Sequence, residues 1–349
     1  MHGNRLDVGQ RAVGPSFPAL VVAEIGQNHN GQLHLAEQLV DAASWAGADA
    51  VKFVKRDLQC ELSREARRWR YSSPHAFGET YAEHRQALEL SAEDHASLCR
   101  RARQRGLLYF ATPCDEPSLR LVQSLGTDAL KIASRDVSNL PLVDAVARAG
   151  VPVLLSTGMS PLSEVDEAVA VLDAHDARFA VLQCTSLYPT PYEEAHLNSL
   201  ETLHLRYART VGFSDHTAGT LLAPVAVALG ASIVEKHLTL DRKLKGSDHA
   251  CSLEPGDFFQ MVTSVRQIES AMGQGGKPVP AKVAAVRTRL GRSLVARRDL
   301  RRGVRLDENM LSLKCPGDGI AWQERARVVG KKLRHDVAAD EKLRDDDFE

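Results

Sequence analysis

The 349-residue sequence lacks the features that mark membrane proteins and nucleic-acid-binding proteins. No apolar run approaches the roughly 20 residues that span a bilayer, and the first residues contain no apolar signal-peptide segment. The formal net charge of −1 gives no overall attraction for nucleic acid or for a membrane surface. Aromatic residues make up only 5% of the chain and supply no base-stacking surface. We therefore expect neither a nucleic-acid partner nor a membrane partner.

Closely spaced cysteines and phosphate-binding glycine motifs are also missing. The six cysteines are scattered at positions 60, 99, 114, 184, 251 and 315, with no Cys-x-x-Cys pair. This spacing favours reduced thiols and therefore a cytoplasmic location. Glycine pairs such as Gly275-Gly276 form neither a dinucleotide-binding nor a P-loop fingerprint.

What the sequence does contain is a series of eight short apolar runs, with polar or charged residues recurring at their downstream ends. Each run is typical of a buried parallel strand, and each is followed by a turn and a stretch of helical periodicity. Eight such units predict an α/β fold, the (β/α)8 or TIM barrel, whose chemistry lies at the C-terminal ends of the strands. The runs cover residues 21–25, 50–54, 108–112, 129–134, 152–156, 180–184, 211–216 and 233–237.

Composition divides the chain into a barrel and a smaller domain. Residues 1–18 are polar, with glycine and proline, and are expected to form a loose leader before a barrel at 19–272. A Gly/Pro-containing linker at 273–292 then leads to a small β-rich domain at 293–349. Residues 57–90 form an unusually long insertion after the second predicted strand, and such a loop on the catalytic face commonly shapes a site.

Two histidines end neighbouring predicted strands, His216 on the seventh and His237 on the eighth. Glu235 shares a face with His237, and Ser214 shares a face with His216, because strand side chains alternate. Two histidines on adjacent barrel strands can hold one divalent metal, with water or substrate completing its shell. The alternative is that each histidine is an ordinary hydrogen-bonded core residue.

Two lysines, Lys52 and Lys131, lie inside apolar strands, where a buried ammonium group is costly unless it meets an anion. They are expected to form a pocket for a phosphate and a carboxylate together with Ser134, Ser156 and Ser214. The alternatives are a Schiff-base lysine and simple salt bridges to Glu24 or Glu235. Glu24 itself is either a general acid/base, a ligand of a metal-bound water, or a structural partner of Lys52.

Beyond these patterns, a series of motifs resembles the sialic acid (nonulosonate) synthase family. The motifs occur in the family's order over nearly the whole chain, and the tail from Ser293 resembles the family's antifreeze-like (SAF) domain. They occupy residues 23–31, 51–53, 77–85, 131–134, 155–159, 184–189, 212–217, 235–237 and 246–249.

The resemblance implies a barrel plus a SAF (β-clip) domain, assembled as a domain-swapped homodimer. It implies metal-dependent condensation of phosphoenolpyruvate with an open-chain N-acylmannosamine-type sugar or its 6-phosphate, which releases phosphate. His216 and His237 match the ligands of a divalent metal, often Mn²⁺, with Mg²⁺ or Co²⁺ as alternatives. Glu24 and Glu235 match the catalytic carboxylates. The phosphoenolpyruvate contacts match Lys52, Thr112, Lys131, Ser134, Ser156, Ser186 and Ser214, and the sugar contacts match Tyr188 and Asp248.

Two positions depart from the family pattern on the acceptor side. Val54 replaces a glutamine that contacts the sugar, and Cys315 replaces an arginine of the SAF domain. Unmodified N-acetylmannosamine is therefore expected to be a poor acceptor. The expected acceptor is instead a 6-phosphorylated mannosamine, or else a deoxygenated or otherwise less polar hexose that packs on Val54, and the phosphosugar is favoured because residues 77–85 and 245–249 look closer to animal 9-phosphate synthases. Candidate cations for such a phosphate are Lys55, Arg56, Arg85 and Lys245.

Two other functions compete with this interpretation. The first is a Schiff-base pyruvate lyase that acts through Lys131. The second is a binding protein with a degenerate barrel and a glycan-binding SAF domain. Retention of both histidines, both buried lysines and both glutamates argues against a degenerate barrel.

Overall fold

The computed structural model describes residues 5–273 and 275–349, and the chain forms two compact units, residues 1–273 and 274–349. In the first unit, a hairpin of β1 (Leu6–Val8) and β2 (Arg11–Val13) precedes a closed barrel of eight parallel strands. The predicted (β/α)8 barrel is confirmed. Its strands are β3 (Leu20–Gly26), β4 (Ala50–Lys55), β5 (Leu108–Pro113), β6 (Ala129–Ile132), β7 (Val153–Ser156), β8 (Phe179–Cys184), β9 (Thr210–Asp215) and β10 (Ile233–His237).

Alternation along each strand decides which side chains enter the barrel. In β3, Val21 and Ala23 pack in the core between strands and helices, whereas Leu20 and Val22 pack inside the barrel. Glu24 therefore points inward. The same register places three further side chains inside the barrel, each two residues beyond an inward apolar residue: Lys52, Lys131 and Glu235.

Helices cover the outside of the barrel, and their apolar faces are buried against the strands. Among the described residues, no helix has the length and apolar character needed to cross a membrane. The helices of this unit are α1 (Leu33–Trp45), α2 (Leu58–Glu61), α3 (Tyr81–Ala87), α4 (Ala92–Gln104), α5 (Glu116–Ser124), α6 (Leu140–Ala147), α7 (Leu162–Ala174), α8 (Ser199–Tyr207), α9 (Leu222–Ala228) and α10 (Pro255–Met272).

The expectation of a loose leader is wrong for residues 5–13. The β1–β2 hairpin buries Leu6, Val8 and Val13 against inward-facing barrel residues such as Leu20. The reason is that the N-terminal end of the barrel exposes apolar side chains, which are stabilised when a segment of chain removes them from water. Residues 1–4 of the predicted leader lie outside the described residues.

The insertion at 57–90 is ordered by local hydrogen bonds and by a ring cluster. It contains α2, a short 3-10 helix at Ala66–Arg68, and α3. Thr80 begins α3 with a capping box, in which its side chain accepts from the Glu83 amide and Glu83 accepts in return. The buried His84 ring stacks on Tyr71 at 4.3 Å and on Phe77 at 5.9 Å. These contacts fix the orientation of α3, which carries Arg85.

The second unit is the predicted small β-rich domain. A 3-10 helix at Ala281–Val283 and α11 (Ala284–Leu290) precede an antiparallel pair, β11 (Ser293–Ala296) and β12 (Leu311–Lys314). Its own apolar core includes Leu294, Leu311, Leu333 and Phe348. Residue 274, within the predicted linker, lies outside the described residues.

Candidate active site

A cavity of about 470 Å³ opens at the C-terminal ends of the barrel strands. It brings together all thirteen residues for which a catalytic, phosphoenolpyruvate-binding, sugar-binding or metal-binding role was predicted. These are Glu24, Lys52, Thr112, Lys131, Ser134, Ser156, Ser186, Tyr188, Ser214, His216, Glu235, His237 and Asp248. A second cavity, of about 520 Å³, lies near the N-terminal ends of β9 and β10 and is lined partly by Leu197, Leu200 and Leu229. The functional roles of the thirteen residues remain predictions, whereas their proximity is a feature of the structure.

The floor of the active-site cavity is a buried cluster of two lysines and two glutamates. Lys52 Nζ lies 2.9 Å from Glu24 Oε2 and 3.4 Å from Glu235 Oε2, and Lys131 Nζ lies 3.2 Å from Glu235 Oε1. All four side chains are about 5% exposed or less. The charges of the cluster balance when both carboxylates are ionised.

The two carboxylates differ in proton affinity. Burial raises the pKa of Glu24 to about 7, against the opposing effect of Lys52 and with a contribution from the charge of Glu235. Although burial opposes it, Lys131 and Lys52 hold the pKa of Glu235 well below its usual value. The two carboxylates can therefore have different roles: Glu24 can exchange a proton near neutral pH, while Glu235 stays ionised.

Hydroxyl groups surround this cluster. Ser214 Oγ donates to Glu235 Oε1 at 2.7 Å, and Lys52 Nζ donates to Thr112 Oγ1 at 3.2 Å. Within residues 5–273 and 275–349, the buried Ser156 Oγ has no hydrogen-bond partner. Two ammonium groups and several hydroxyl donors form a suitable environment for an anion that displaces the internal salt bridges.

A glycine allows the wall of the cavity to close. A Cβ atom on Gly158 would lie 2.8 Å from both Cys184 Sγ and Ser186 Oγ. The amide of Gly158 donates to Ser134 Oγ at 2.9 Å. A side chain here would push apart the segments that hold Ser134 and Ser186, so glycine is required by close approach.

The two histidines lie together at the cavity wall, with ring centroids 5.3 Å apart. The Nδ1–H of His216 donates to the carbonyl oxygen of Thr185 at 2.8 Å, which leaves the lone pair on Nε2. Burial lowers the pKa of His237 to about 3, against the charge of Asp248, so this imidazole is neutral. Its buried Nδ1 has no hydrogen-bond partner in the part of the chain that the structure describes.

These features fit a metal with two protein ligands. Two imidazoles, each with a ring nitrogen that can coordinate once it is deprotonated, are suitable donors for a divalent transition metal. Among the described residues, no cluster of three or more His, Cys, Asp or Glu side chains is arranged to hold a metal ion. Water or substrate would therefore have to supply the remaining positions.

The four cations proposed to bind a phosphate on the acceptor sugar differ in whether they line the cavity. Arg85 and Arg56 line the cavity, whereas Lys55 and Lys245 do not. Lys55 Nζ is bound to Glu89 Oε2 at 3.1 Å, and Lys245 Nζ lies 4.7 Å from the centroid of the Phe77 ring. Val54 lines the cavity as predicted, while Cys315 belongs to the second unit and is exposed.

Tyr188 and Asp248 complete the predicted set. The Tyr188 ring lies 4.1 Å from the His216 ring and 5.8 Å, edge-on, from the His237 ring. Asp248 accepts from Ser247 Oγ at 2.7 Å. Sequence reasoning did not predict site roles for several other lining residues, although some lie within or beside the family motifs: Gln27, His75, Arg135, Met159, Cys184, Ser247 and Ala250.

Comparison with known proteins places this geometry in a family. The profile of the NeuB family matches residues 39–277, and that of the SAF domain matches residues 291–349. The N,N'-diacetyllegionaminic acid synthase of Legionella pneumophila is 36% identical over 345 residues, covering 97% of each chain. Human N-acetylneuraminate-9-phosphate synthase is 34% identical over 335 residues, covering 95% of this chain and 93% of that one.

A solved structure agrees with the sequence relatives. The N-acetylneuraminic acid (sialic acid) synthetase of Leptospira borgpetersenii, in complex with citrate, superposes with a TM-score of 0.72 at 33% identity. The match covers 82% of this chain and 96% of that one. A barrel that carries the paired lysines, glutamates and histidines, followed by a matching SAF domain, makes this chain a member of the NeuB family.

Proposed function

We propose that this protein condenses phosphoenolpyruvate with an N-acylmannosamine-type sugar, or its 6-phosphate, to give a nonulosonic acid or its 9-phosphate and inorganic phosphate. The observation that carries the proposal is the buried cluster of Lys52, Lys131, Glu24 and Glu235 in one cavity with the histidine pair. An anion-binding floor beside two free imidazoles suits a reaction between an anionic enol ester and an aldehyde. The synthase names of close relatives support the same reaction.

In this proposal, Lys52 and Lys131 bind the phosphate and carboxylate of phosphoenolpyruvate, with the surrounding serines and Thr112 as hydrogen-bond donors. C3 of phosphoenolpyruvate then forms a bond with the aldehyde carbon, water adds at C2, and phosphate leaves by C–O cleavage. Glu24, with a pKa of about 7, can give a proton to the new alkoxide or take one from the adding water. Glu235 stays ionised and orients both lysines and Ser214.

A divalent metal, with Mn²⁺ favoured by the family resemblance, would be held by His216 and His237. When bound, it would supply Lewis-acid polarisation of the acceptor aldehyde. The free Nε2 of His216 and the unpartnered Nδ1 of His237 support this assignment.

One observation favours a second function, a pyruvate lyase that acts through a Schiff base on Lys131. Burial lowers the pKa of Lys131, as it does for lysines that form Schiff bases. Against this, Lys131 is ion-paired to Glu235 at 3.2 Å and shares the floor with a second lysine. Borohydride trapping with pyruvate would label Lys131 only if the lyase interpretation holds.

The proposed assembly rests on the family resemblance, and the proposed location rests on the cysteines. We propose a domain-swapped homodimer in which the SAF domain of one subunit covers the barrel of its partner, as the resemblance implies. A cytoplasmic location is supported by the six cysteines, all of which are free in the described chain.

The test is phosphate release from phosphoenolpyruvate, with Mn²⁺ present, across a panel of mannosamine derivatives. Oxygen-18 in the bridging position of phosphoenolpyruvate should appear in the released phosphate, because the proposal breaks the C–O bond. Retention of the label in the sugar product would refute this mechanism.

A further inference from the structure

The rim of the active-site cavity contains Arg85, a cation without an ion-pair partner among the described residues. Arg85 lines the cavity, and no carboxylate of the described residues lies within 4.0 Å of its guanidinium. Its Nη1 donates to Gln27 Oε1 at 2.6 Å, and its Nε donates to the Tyr81 hydroxyl at 2.9 Å. The two other arginines that line the cavity are ion-paired, Arg56 to Glu89 at 2.9 Å and Arg135 to Asp136 at 3.5 Å. Arg85 is therefore held in place by neutral groups and keeps its charge available.

Two further side chains at this rim, Gln27 and His75, can donate N–H groups. Gln27 must present its amide nitrogen away from Arg85, because its oxygen accepts from Nη1. That nitrogen, Nε2, is buried and has no hydrogen-bond partner in the described ranges. The His75 Nδ1 accepts from the Gly246 amide at 3.3 Å, so in the neutral ring the proton lies on Nε2. Both side chains line the same cavity as Arg85.

This rim is separate from the floor that binds phosphoenolpyruvate in the proposed function. Gln27 follows β3 and lies three residues beyond Glu24, towards the mouth of the barrel. Arg85 lies on α3, in the insertion, and His75 lies in the loop before it. A guanidinium fork, an amide N–H and an imidazole N–H form a set of donors suited to a phosphate. Asp248, which also lines the cavity, can accept hydroxyls of the same ligand.

We infer that Arg85, Gln27 and His75 form a subsite for a dianionic phosphate monoester on the acceptor sugar. The inference rests on the proposed function, since it assigns the acceptor of that same site. It also accounts for Val54, because an acceptor bound through its phosphate depends less on an amide at that wall position.

The test compares kcat/KM for N-acetylmannosamine and for its 6-phosphate, at saturating phosphoenolpyruvate. Wild-type protein should prefer the phosphosugar. Arg85→Gln should lower kcat/KM for the phosphosugar about 10- to 150-fold, the range for a lost hydrogen bond to a charged group, while the neutral sugar and the KM for phosphoenolpyruvate change little. Arg85→Lys should lie between, because it keeps the charge but loses the planar fork. Lys245→Gln is the matched control, since it removes a nearby cation that does not line the cavity.

The possible outcomes separate this inference from the proposed function. If neither sugar supports phosphate release in the wild type, the proposed function is refuted. If the neutral sugar is used as well as the phosphosugar, or if Arg85→Gln lowers both values equally, the subsite is refuted and the proposed function stands. Should Arg85→Gln fail to fold, Gln27→Glu provides a second route, because a carboxylate of the same size would neutralise Arg85 in place. It should reduce selectivity for the phosphosugar, and unchanged selectivity would overturn the inference.

Discussion

The fully buried ion pair between Lys236 and Asp215, next to the two histidines, provides a test of how the strand ends that carry the site are stabilised. Lys236 and Asp215 point outward from β10 and β9, into the layer between strands and helices, and both side chains are 0% exposed. Lys236 Nζ lies 2.9 Å from Asp215 Oδ2 and donates to the carbonyl oxygen of Thr217 at 2.6 Å. Asp215 Oδ1 accepts from the Thr217 amide and hydroxyl at 2.8 and 2.7 Å. The pair therefore fixes the residues on either side of His216.

The expected magnitudes follow from this complete burial. Lys236→Met leaves a buried carboxylate without its cation, which should lower the free energy of unfolding by about 3–5 kcal/mol. The double variant Asp215→Asn/Lys236→Met removes both charges, and the new amide oxygen can still accept from Thr217. Replacing both charges can be nearly neutral, so the double variant should be more stable than Lys236→Met alone. A gain in stability on removing the second charge would show that the single variant leaves an unpaired carboxylate in the interior.

The assay is equilibrium urea denaturation followed by tryptophan fluorescence. Trp45 and Trp69 lie in the barrel unit, and Trp322 lies in the second unit. Trp322→Phe in every background therefore makes the signal report on the barrel. Arg120→Met is the control, because the Arg120–Glu116 pair is about two-thirds exposed and its loss should cost less than about 1 kcal/mol. The reasoning is refuted if Lys236→Met is no more costly than this control, or if the double variant costs as much as Lys236→Met and a single Asp215→Asn variant together.

Three further predictions concern the metal, the proton and the assembly. A chelator should abolish phosphate release, and Mn²⁺ should restore it. His216→Ala or His237→Ala should lower turnover at least about 100-fold. Full activity in protein shown by mass spectrometry to be free of metal would contradict this prediction. Because the pKa of Glu24 is raised to about 7, its protonated form stabilises the fold below pH 4.5, and this contribution is lost as pH rises through 7. The unfolding free energy of the wild type should accordingly fall relative to Glu24→Gln over that range, and parallel pH profiles would count against the buried proton. A chain that ends near residue 285 should keep a folded barrel yet lose most turnover, as measured by circular dichroism and phosphate release, and an active truncated monomer would disprove the proposed domain swap.

The barrel and the floor of its site were predictable because they follow from periodicity. A strand that is buried on both faces has an almost continuous apolar sequence. Because successive side chains point to opposite faces, the sequence then determines which side chains point into the barrel. Glu24, Lys52, Lys131 and Glu235 break such runs at inward positions, so the sequence alone predicts that they meet. The β1–β2 hairpin was missed because its strands have only three residues each, too few to show a period.

The rim was not predictable for a different reason. In the sequence, Lys55, Arg56, Arg85 and Lys245 are equivalent candidate cations, and the first three lie in or beside the insertion. What distinguishes them is the position of distant carboxylates: Glu89 binds both Lys55 and Arg56. Gln27 and Arg85 meet although 58 residues separate them. Contacts of this kind depend on how an aperiodic loop folds back over the barrel, which no local pattern specifies.

The structure also resolves an apparent choice between two interpretations of the buried lysines. From the sequence, the lysines could either form salt bridges to Glu24 and Glu235 or line a pocket for an anion. The structure contains the salt bridges, and it also leaves the lysines able to bind an anion. With Glu24 protonated, the floor carries two ammonium groups and one carboxylate and so attracts an anion. An anion bound there would raise the pKa of Glu24 further by repulsion of like charges. The same step that admits phosphoenolpyruvate would then leave a protonated carboxyl beside the reacting carbon atoms, where the new alkoxide requires a proton donor.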